Sequence, residues 1–208
     1  MSRNPPQDLT AWLGEIDVYL FDQLLKGRIR PGMRVLDAGC GDGRNIVYLL
    51  RSGCDVCAVD RTPGAVEAVR ELAAELAPEL PPTNFRLEPA EAMSFEDHSF
   101  DAVLAIALLH FAPDEMQFGA MLRGLWRVLR PGGLFFARLA SSIGIEPRVR
   151  LLEGRRYRLP DGTERFLVDE RFLLEWTDRL EGALIEPIKT VNVQNQRCMT
   201  TWCMRRRR

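Results

Sequence analysis

The feature that most constrains this chain is an apolar stretch that ends in a glycine turn and resumes as a helix. Met33 to Asp37 read MRVLD, which is rich in strand-forming residues, and glycines follow at every second position: Gly39, Gly41 and Gly43. Apolar residues at helical spacing begin at once, with Ile46. Glycine permits positive φ and lets a ligand approach bare main chain, while the free N–H groups of a helix start face the same place. The pattern therefore predicts a strand, a ligand-binding turn and a helix.

Two kinds of ligand suit such a turn. The dinucleotide fingerprint G-x-G-x-x-G requires a glycine where this chain has Arg44. Asp37 stands two residues before the first glycine, where its carboxylate would repel a pyrophosphate but attract a ligand with a cationic end. S-adenosylmethionine is such a ligand, since it carries an ammonium and a sulfonium. The pattern hydrophobic-Leu-Asp-x-Gly-x-Gly-x-Gly closely resembles motif I of the class I S-adenosylmethionine-dependent methyltransferases.

Three further segments resemble the same family, in order along the chain. Asp60 ends the next apolar run, 23 residues after Asp37, near the offset of about 20 residues at which α/β cofactor sites place an acid for ribose hydroxyls. Ser99 to Asp101 (SFD) lead into another apolar run, and Leu129 to Gly133 (LRPGG) precede a fourth. The motif GCGDGRN and the compact carboxyl end are similar to small methyltransferases of the tellurite-resistance and ubiquinone-biosynthesis types.

The resemblance implies an α/β fold, a Rossmann-like three-layer sandwich with a seven-stranded, mostly parallel sheet and an antiparallel last strand. S-adenosyl-L-methionine would lie across the carboxyl ends of the first, second and fourth strands. The 208 residues suit a single methyltransferase domain with four parts. These are an N-terminal helical segment (1–32), a cofactor-binding core (33–140), a substrate-loop insertion (141–168) and a closing helix with strands (169–208).

Periodicity predicts the remaining elements. Apolar residues four apart predict one amphipathic helix from Leu9 to Leu25, and Leu159 to Thr163 (LPDGT) predict a hairpin turn. Asp169 is expected to cap a helix. Two strands, at 183–191 and 197–204, are expected to close the sheet, and the last four arginines are expected to form a frayed tail. The other predicted strands are 55–60, 84–87, 101–106 and 134–137. Three other helices are predicted: one that ends near Arg51, one that runs from Pro63 to before Pro78, and one that spans 114–129.

Composition narrows the partners and the compartment. A net charge of −1 gives no reason to expect nucleic acid or membrane binding. The start, MSRNPPQDLT, lacks the apolar core of a signal peptide, and the longest apolar run, Ala102 to Leu109, is too short to cross a bilayer, so a cytoplasmic protein is expected. The five cysteines are expected to be reduced core thiols, and no metal site is predicted, because Cys54 and Cys57 enter a strand and lack a second pair.

The resemblance assigns the cofactor contacts. Asp37 and the turn would hold the methionine end, Arg44 the cofactor carboxylate and Asp60 the ribose. The family's adenine-binding aspartate falls on Pro89, which is a departure from the family pattern. The Ala90 N–H could still bind the adenine. A side-chain contact would have to come from Glu88 or Glu91, with Glu91 favoured, or would be missing. The predicted cofactor-binding residues are Asp37, Ala38, Gly39, Cys40, Gly41, Arg44, Asn45, Asp60, Arg61, Ala90, Glu91, Ala105 and Ile106.

Catalysis and acceptor binding are less constrained. His110 follows the fourth strand and is the predicted general base if the acceptor must lose a proton, while a soft sulfur, selenium or tellurium acceptor would need none. The alternative is a half-buried histidine that hydrogen-bonds a loop. Arginines in the insertion predict a small, anionic acceptor, with Tyr19, Arg148 and Arg158 as substrate-binding residues. A solvated loop whose arginines pair with acids is the alternative there.

Several function classes are disfavoured. The fourth strand runs into Ala107 and Leu108 without an Asn/Asp-Pro-Pro-aromatic motif, which argues against methylases of exocyclic amines in DNA and of protein glutamine. No Pro-Cys pair exists for a cytosine-C5 enzyme. A nicotinamide dehydrogenase is disfavoured by Arg44 and Asp37, whereas a non-catalytic S-adenosylmethionine-binding module stays open. The acceptor itself does not follow from the sequence.

Overall fold

The computed structural model of the chain describes residues 9–208. Residues 1–8, with most of the stretch on which the signal-peptide interpretation rests, lie outside the described part. The N-terminal segment holds two helices, α1 (Leu9–Leu13) and α2 (Val18–Leu25), where one was predicted. The prediction is wrong because Gly14 turns the chain at a φ of 67° and Asp17 then caps α2, its Oδ1 accepting the Tyr19 N–H at 2.9 Å.

Residues 26–208 hold four further helices, three short 3₁₀ turns and eleven strands. The other helices are α3 (Val47–Arg51), α4 (Pro63–Leu76), α5 (Glu115–Val128) and α6 (Glu170–Arg179), with short 3₁₀ turns at Pro82–Asn84, Leu109–Phe111 and Glu146–Arg148. The strands are β1 (Arg34–Ala38), β2 (Asp55–Asp60), β3 (Phe85–Leu87), β4 (Phe100–Ile106), β5 (Leu129–Ser141), β6 (Arg150–Glu153), β7 (Arg156–Arg158), β8 (Glu164–Phe166), β9 (Gly182–Leu184), β10 (Lys189–Val193) and β11 (Arg197–Arg206).

The main sheet has the order β10-β11-β5-β4-β1-β2-β3, and β9 also pairs with β11. The pairs of β1 with β2 and β4, of β2 with β3 and of β4 with β5 are parallel, and β11 alone runs opposite to the rest. The mostly parallel Rossmann-like sheet is therefore confirmed. It has eight strands instead of seven, because the strand predicted at 183–191 is interrupted around Pro187, which has no N–H to donate to a ladder.

Apolar side chains cover both faces of the sheet. On β5, Phe135 packs in one cluster with α5 and α6, whereas Phe136 packs in the other with α2, α3 and α4. The alternation follows from the two-residue period of a strand. The predicted run of buried apolar residues in β4 follows from the position of this strand. It lies between β1 and β5 in the sheet, and both of its faces are covered by apolar side chains.

The insertion forms a small antiparallel sheet, β6-β7-β8, whose β7–β8 turn is the predicted hairpin. Strand β6 was not predicted. Asp169 caps α6 as expected, accepting the Phe172 N–H at 2.8 Å. The prediction of a frayed tail is wrong for Arg205 and Arg206, because both residues belong to β11. The Arg206 guanidinium donates to the carbonyls of Trp126 and Leu129 at 2.7 and 2.6 Å.

One buried polar contact ties α6 to β11 and can be tested. The Trp202 indole N–H donates to Thr177 Oγ1 at 3.0 Å, and both residues are buried. We expect Thr177→Val to lower the free energy of unfolding by about 1–3 kcal/mol, because an isosteric methyl leaves the indole N–H unpaired. Urea denaturation measures this. The matched control is Thr83→Val on an exposed turn, which should change stability by less than about 0.5 kcal/mol; equal effects of the two substitutions would show that the buried contact contributes nothing.

Candidate cofactor and acceptor site

A cavity of about 390 Å³ lies at the carboxyl ends of β1, β2 and β4, and we call it the carboxyl-end cavity. Its size falls within the range of small-molecule sites. The glycine turn after β1 forms one wall, the end of β2 a second, the loop after β3 a third, and the segment after β4 with the start of α5 the fourth. The lining residues are Gly39, Cys40, Gly41, Asp42, Arg44, Asn45, Val59, Asp60, Arg61, Glu88, Pro89, Ala90, Glu91, Ile106, Ala107, Leu108, Phe111, Ala112, Pro113, Gln117 and Met121.

The glycines of the turn differ in what they permit. A Cβ on Gly39 would lie 2.8 Å from the Leu108 side chain and one on Gly43 would lie 2.9 Å from Leu72, so these two allow close packing. Gly41 has a φ of 54°, and nothing lies within 4 Å of where its Cβ would be. Gly41 therefore presents bare main chain to the cavity, as the sequence pattern predicted.

Asp37 is the most unusual group near this turn. Its side chain is buried, and its Oδ2 has no hydrogen-bond partner among the described residues. Burial raises its pKa to about 7, with Asp60 raising it further and the Arg44 charge lowering it. A buried carboxylate oxygen without a partner is costly, and a cationic ligand beside it removes that cost. Asp37 does not itself line the cavity but stands two residues before Gly39, which does.

Asp60 is held by backbone on both sides. Its Oδ2 accepts the Gly41 N–H at 3.1 Å, and its Oδ1 accepts the Thr62 N–H at 2.9 Å. The carboxylate is therefore oriented at the cavity edge, while each oxygen keeps a lone pair for a further donor. These donors and acceptors suit a ligand with a cationic end and a vicinal diol, so the residues present fit S-adenosylmethionine.

The glycine turn is also tied to the N-terminal segment. Asn45 is buried, and its Oδ1 accepts the Asp17 N–H at 3.0 Å. The Asp17 carboxylate pairs with Arg138 of β5, whose guanidinium lies 4.7 Å from the Tyr19 ring centre. This anchoring role of Asn45 was not foreseen from the sequence, since its partner is 28 residues away.

The wall after β3 lacks the family's aspartate. Pro89 lines the cavity in its place, the Glu88 carboxylate accepts from Ser94, and Glu91 Oε1 accepts the Gln117 side-chain amide at 2.6 Å. Gly124 fixes this wall, because a Cβ there would lie 2.2 Å from the Ala90 carbonyl oxygen. Helix α5 can therefore approach the loop closely, and the Ala90 backbone is held at the cavity.

Most of the predicted cofactor residues come together around this cavity. Asp37, Ala38 and Ala105 lie in the strands and do not line it. The sequence reasoning missed the apolar wall formed by Leu108, Phe111, Ala112, Pro113 and Met121; the apolar character of the segment after β4 was the available signal. The predicted residues that do line it are Gly39, Cys40, Gly41, Arg44, Asn45, Asp60, Arg61, Ala90, Glu91 and Ile106.

His110 does not line the cavity. Its ring is buried against Phe111, and its Nδ1 accepts the Ala140 N–H at 3.1 Å. Burial lowers its pKa to about 4, and the Arg165 charge lowers it further. A group with this pKa is a weak base at neutral pH, and its accepting nitrogen is already engaged. These contacts favour the structural alternative over the predicted general base.

The predicted acceptor residues also lie away from the cavity lining. Tyr19 stacks with Arg138, Arg158 is exposed and pairs with Glu164 at 2.6 Å, and Arg148 is exposed. Arg165 of β8 is better placed, with its guanidinium 4.8 Å from the ring centre of Phe111, which lines the cavity. It makes no ion pair with the part of the chain that the structure describes.

No cluster of three or more His, Cys, Asp or Glu side chains in residues 9–208 is arranged to hold a metal ion. All five cysteines are buried free thiols. None of the described helices has the length and apolar character needed to span a bilayer.

The chain is similar in sequence to known methyltransferases. A methyltransferase-domain profile matches residues 36–137. The ubiquinone biosynthesis O-methyltransferase of Xanthomonas oryzae pv. oryzae is 35% identical over 171 residues, which cover 75% of this chain and 68% of that protein. The enzyme of the same name from Methylocella silvestris is 39% identical over 106 residues, covering 51% of this chain and 39% of that protein. The chain spans about half the length of other curated relatives that it matches, 47% of one and 56% of another.

Solved structures share the fold at low sequence identity. A Methanosarcina mazei protein described as a SAM-dependent methyltransferase matches with a TM-score of 0.71 at 20% identity, over 88% of this chain and 97% of that one. The 1,6-didemethyltoxoflavin-N1-methyltransferase of Burkholderia thailandensis, solved with 1,6-didemethyltoxoflavin and S-adenosylhomocysteine, matches with a TM-score of 0.71 at 22% identity, over 97% and 82%. The fold, the motif-bearing cavity and the sequence matches agree, and the chain belongs to the class I S-adenosylmethionine-dependent methyltransferases.

Proposed function

We propose that this protein transfers a methyl group from S-adenosyl-L-methionine to a small-molecule acceptor held in the carboxyl-end cavity. The observation that carries the proposal is Asp37, a buried carboxylate with an unpaired oxygen on the strand that leads into the bare main chain of Gly41. The sequence matches to O-methyltransferases support the same reaction class.

The residues of the cavity would divide the work of holding the cofactor. Asp37 would hold the ammonium, Arg44 the carboxylate and Asp60 the ribose diol, because each of these pairs joins complementary charges or hydrogen-bonding groups. The Ala90 N–H and the Glu91 side chain would meet the adenine edge. When bound, the cofactor supplies a methyl group on a positively charged sulfur, which makes transfer to a nucleophile possible.

The protein's own contribution to methyl transfer is to position the reactants and exclude water. In-line displacement at carbon needs the acceptor atom and the methyl group aligned. The apolar wall of Leu108, Phe111 and Met121 would hold a flat apolar acceptor and keep water away from the reacting atoms. Arg165 beside Phe111 would bind an anionic group on the acceptor. The relatives' O-methyltransferase names indicate an oxygen acceptor. If this oxygen belongs to an acidic hydroxyl, its proton is lost to solvent before the acceptor enters the cavity, and no protein base is needed.

Cofactor binding tests the proposal first. Titration calorimetry should detect binding of S-adenosylmethionine and S-adenosylhomocysteine to the unmodified protein, and Asp37→Asn should weaken both by roughly ten- to a hundredfold, since an amide cannot neutralise the ammonium. In the unmodified protein the affinity should fall as the pH drops below about 7, because protonation then removes the Asp37 charge. Equal affinities in the variant and the parent would remove Asp37 from the site. Binding without methylation of any acceptor would instead support the non-catalytic alternative.

The ligand-free stability of the same variant separates lost binding from misfolding. The folded-state pKa of Asp37 is raised from 3.8 to about 7, so ionisation destabilises the native state progressively as the pH rises from 3.8 to 7 and by a constant amount above that. Asp37→Asn should therefore raise the melting temperature, and by more at pH 8 than at pH 5. A variant that melts lower at both pH values would invalidate its use in the binding experiment.

His110 can be assigned by a pair of substitutions. His110→Asn keeps an acceptor oxygen for the Ala140 N–H and should retain most of kcat between pH 6 and 9, because the buried ring takes no proton from the acceptor. His110→Ala should lose about 1–3 kcal/mol of stability through the unpaired N–H. A large loss of kcat in the asparagine variant, without a loss of stability, would restore His110 as the base.

Arg165 can be tested with two phenols that differ by one charge. In the presence of S-adenosylhomocysteine, 3,4-dihydroxybenzoate should bind more tightly than the neutral 3,4-dihydroxytoluene, and Arg165→Gln should reduce this preference by roughly tenfold. Arg158→Gln is the matched control, because Arg158 lies on the neighbouring strand and pairs with Glu164. Absence of any preference for the carboxylate in the unmodified protein would contradict an anionic acceptor.

A further inference from the structure

A second cavity lies at the opposite end of the main-sheet strands from the first, at the amino ends of β1, β4 and β5. We call it the amino-end cavity. Its volume is about 290 Å³. Five cationic side chains and one acid line it: Lys26, Arg28, Arg30, Arg130, Arg205 and Asp101. The carboxyl-end cavity lies at the other end of the same strands, so the two cavities are separate.

Three of the five cations are neutralised by acids. Lys26 and Arg28 both pair with Glu186, and Arg130 pairs with Asp101 at 2.6 Å. The second oxygen of Asp101 accepts the Arg34 N–H at 2.7 Å, so this wall of the cavity is held in place. The paired groups therefore form a fixed frame with little net charge.

Arg30 and Arg205 are not neutralised. Neither guanidinium makes an ion pair with residues 9–208, and the only hydrogen bond recorded for the Arg205 side chain within this range is a long one, 3.4 Å to the Gly132 carbonyl. Arg208 lies next to this lining, since its Nε is 3.9 Å from the position that a Cβ on Gly132 would occupy. Gly27 leaves the cavity open, as nothing lies within 4 Å of a Cβ placed on it.

The chemistry of these groups selects the ligand. Guanidinium groups bind phosphate oxygens through paired hydrogen bonds, and a concave site lined by one sign of charge concentrates its field on a counter-ion. The volume is at the lower limit for small-molecule sites, and the lining is mainly polar, which disfavours an apolar ligand. The net charge of the chain is −1, which gives no reason to expect an extended basic surface for a nucleic acid.

We propose that the amino-end cavity binds a small polyanion of the phosphate class, with the guanidinium groups of Arg30 and Arg205 as its principal ligands. The site is independent of the proposed methyl transfer, because no residue lines both cavities. Free polyphosphate and the phosphate chain of a nucleotide share this chemistry.

Titration calorimetry with sodium tripolyphosphate tests the proposal, on the whole chain, in phosphate-free buffer of low ionic strength and with saturating S-adenosylhomocysteine. We expect binding at one site, weakened by added salt. The double variant Arg30→Gln with Arg205→Gln should bind at least roughly tenfold more weakly. The matched control, Arg148→Gln with Arg171→Gln, removes two charges from exposed arginines elsewhere and should change the affinity by less than about twofold.

Each alternative result decides the question. Failure of the unmodified protein to bind millimolar tripolyphosphate, or equal weakening by the two double variants, would overturn the proposal. ATP that binds more tightly than tripolyphosphate, with the same dependence on Arg30 and Arg205, would identify a nucleotide as the source of the phosphates. A single-stranded oligonucleotide that binds more tightly than both would replace the small polyanion with a nucleic acid. None of these results depends on whether the protein methylates an acceptor.

Discussion

The parallel pairing of β1 with β2 is the constraint on which the carboxyl-end cavity depends. Ala38 lies opposite Val59 in the register, and the Val59 carbonyl accepts the N–H groups of Gly39 and Cys40 at 2.8 and 3.2 Å. The Gly41 N–H then reaches Asp60 at the end of β2. These hydrogen bonds hold the glycine turn against the neighbouring strand. A shift of one residue in this register would turn the β1 side chains to the other face of the sheet.

The predictable parts were those whose determinants are local. Strands buried between parallel neighbours are continuous apolar runs, and turns need particular glycines, so residues 33–106 were predicted to within a few residues. The break between α1 and α2 was missed although Gly14 and the capping Asp17 are local signals. Other missed features involve contacts distant in sequence, since Asp17 meets Asn45 and Arg138 and the burial of His110 depends on Ala140. No local pattern around these residues records such partners.

The acceptor side was predictable only in outline, for a related reason. The methyltransferase-domain match ends at residue 137, whereas Arg165 and the β6-β7-β8 sheet lie beyond it. The sequence predicted other arginines of this insertion as acceptor ligands and did not single out Arg165, because the pairing of β7 with β8 decides which arginine lies next to the cavity wall. Arg158 is turned to Glu164, whereas Arg165 lies beside Phe111. Loops and insertions carry specificity, and their geometry follows from the scaffold that holds them.

The contact between Asp17 and Arg138 has a consequence for the order in which the chain folds. These residues are 121 positions apart, so their ion pair forms only after β5 has been synthesised. Until then Asp17, whose N–H Asn45 accepts, lacks its charged partner. A nascent chain with β1 to β4 already paired would therefore carry a less firmly anchored glycine turn, and the full set of contacts around this turn is completed late in synthesis.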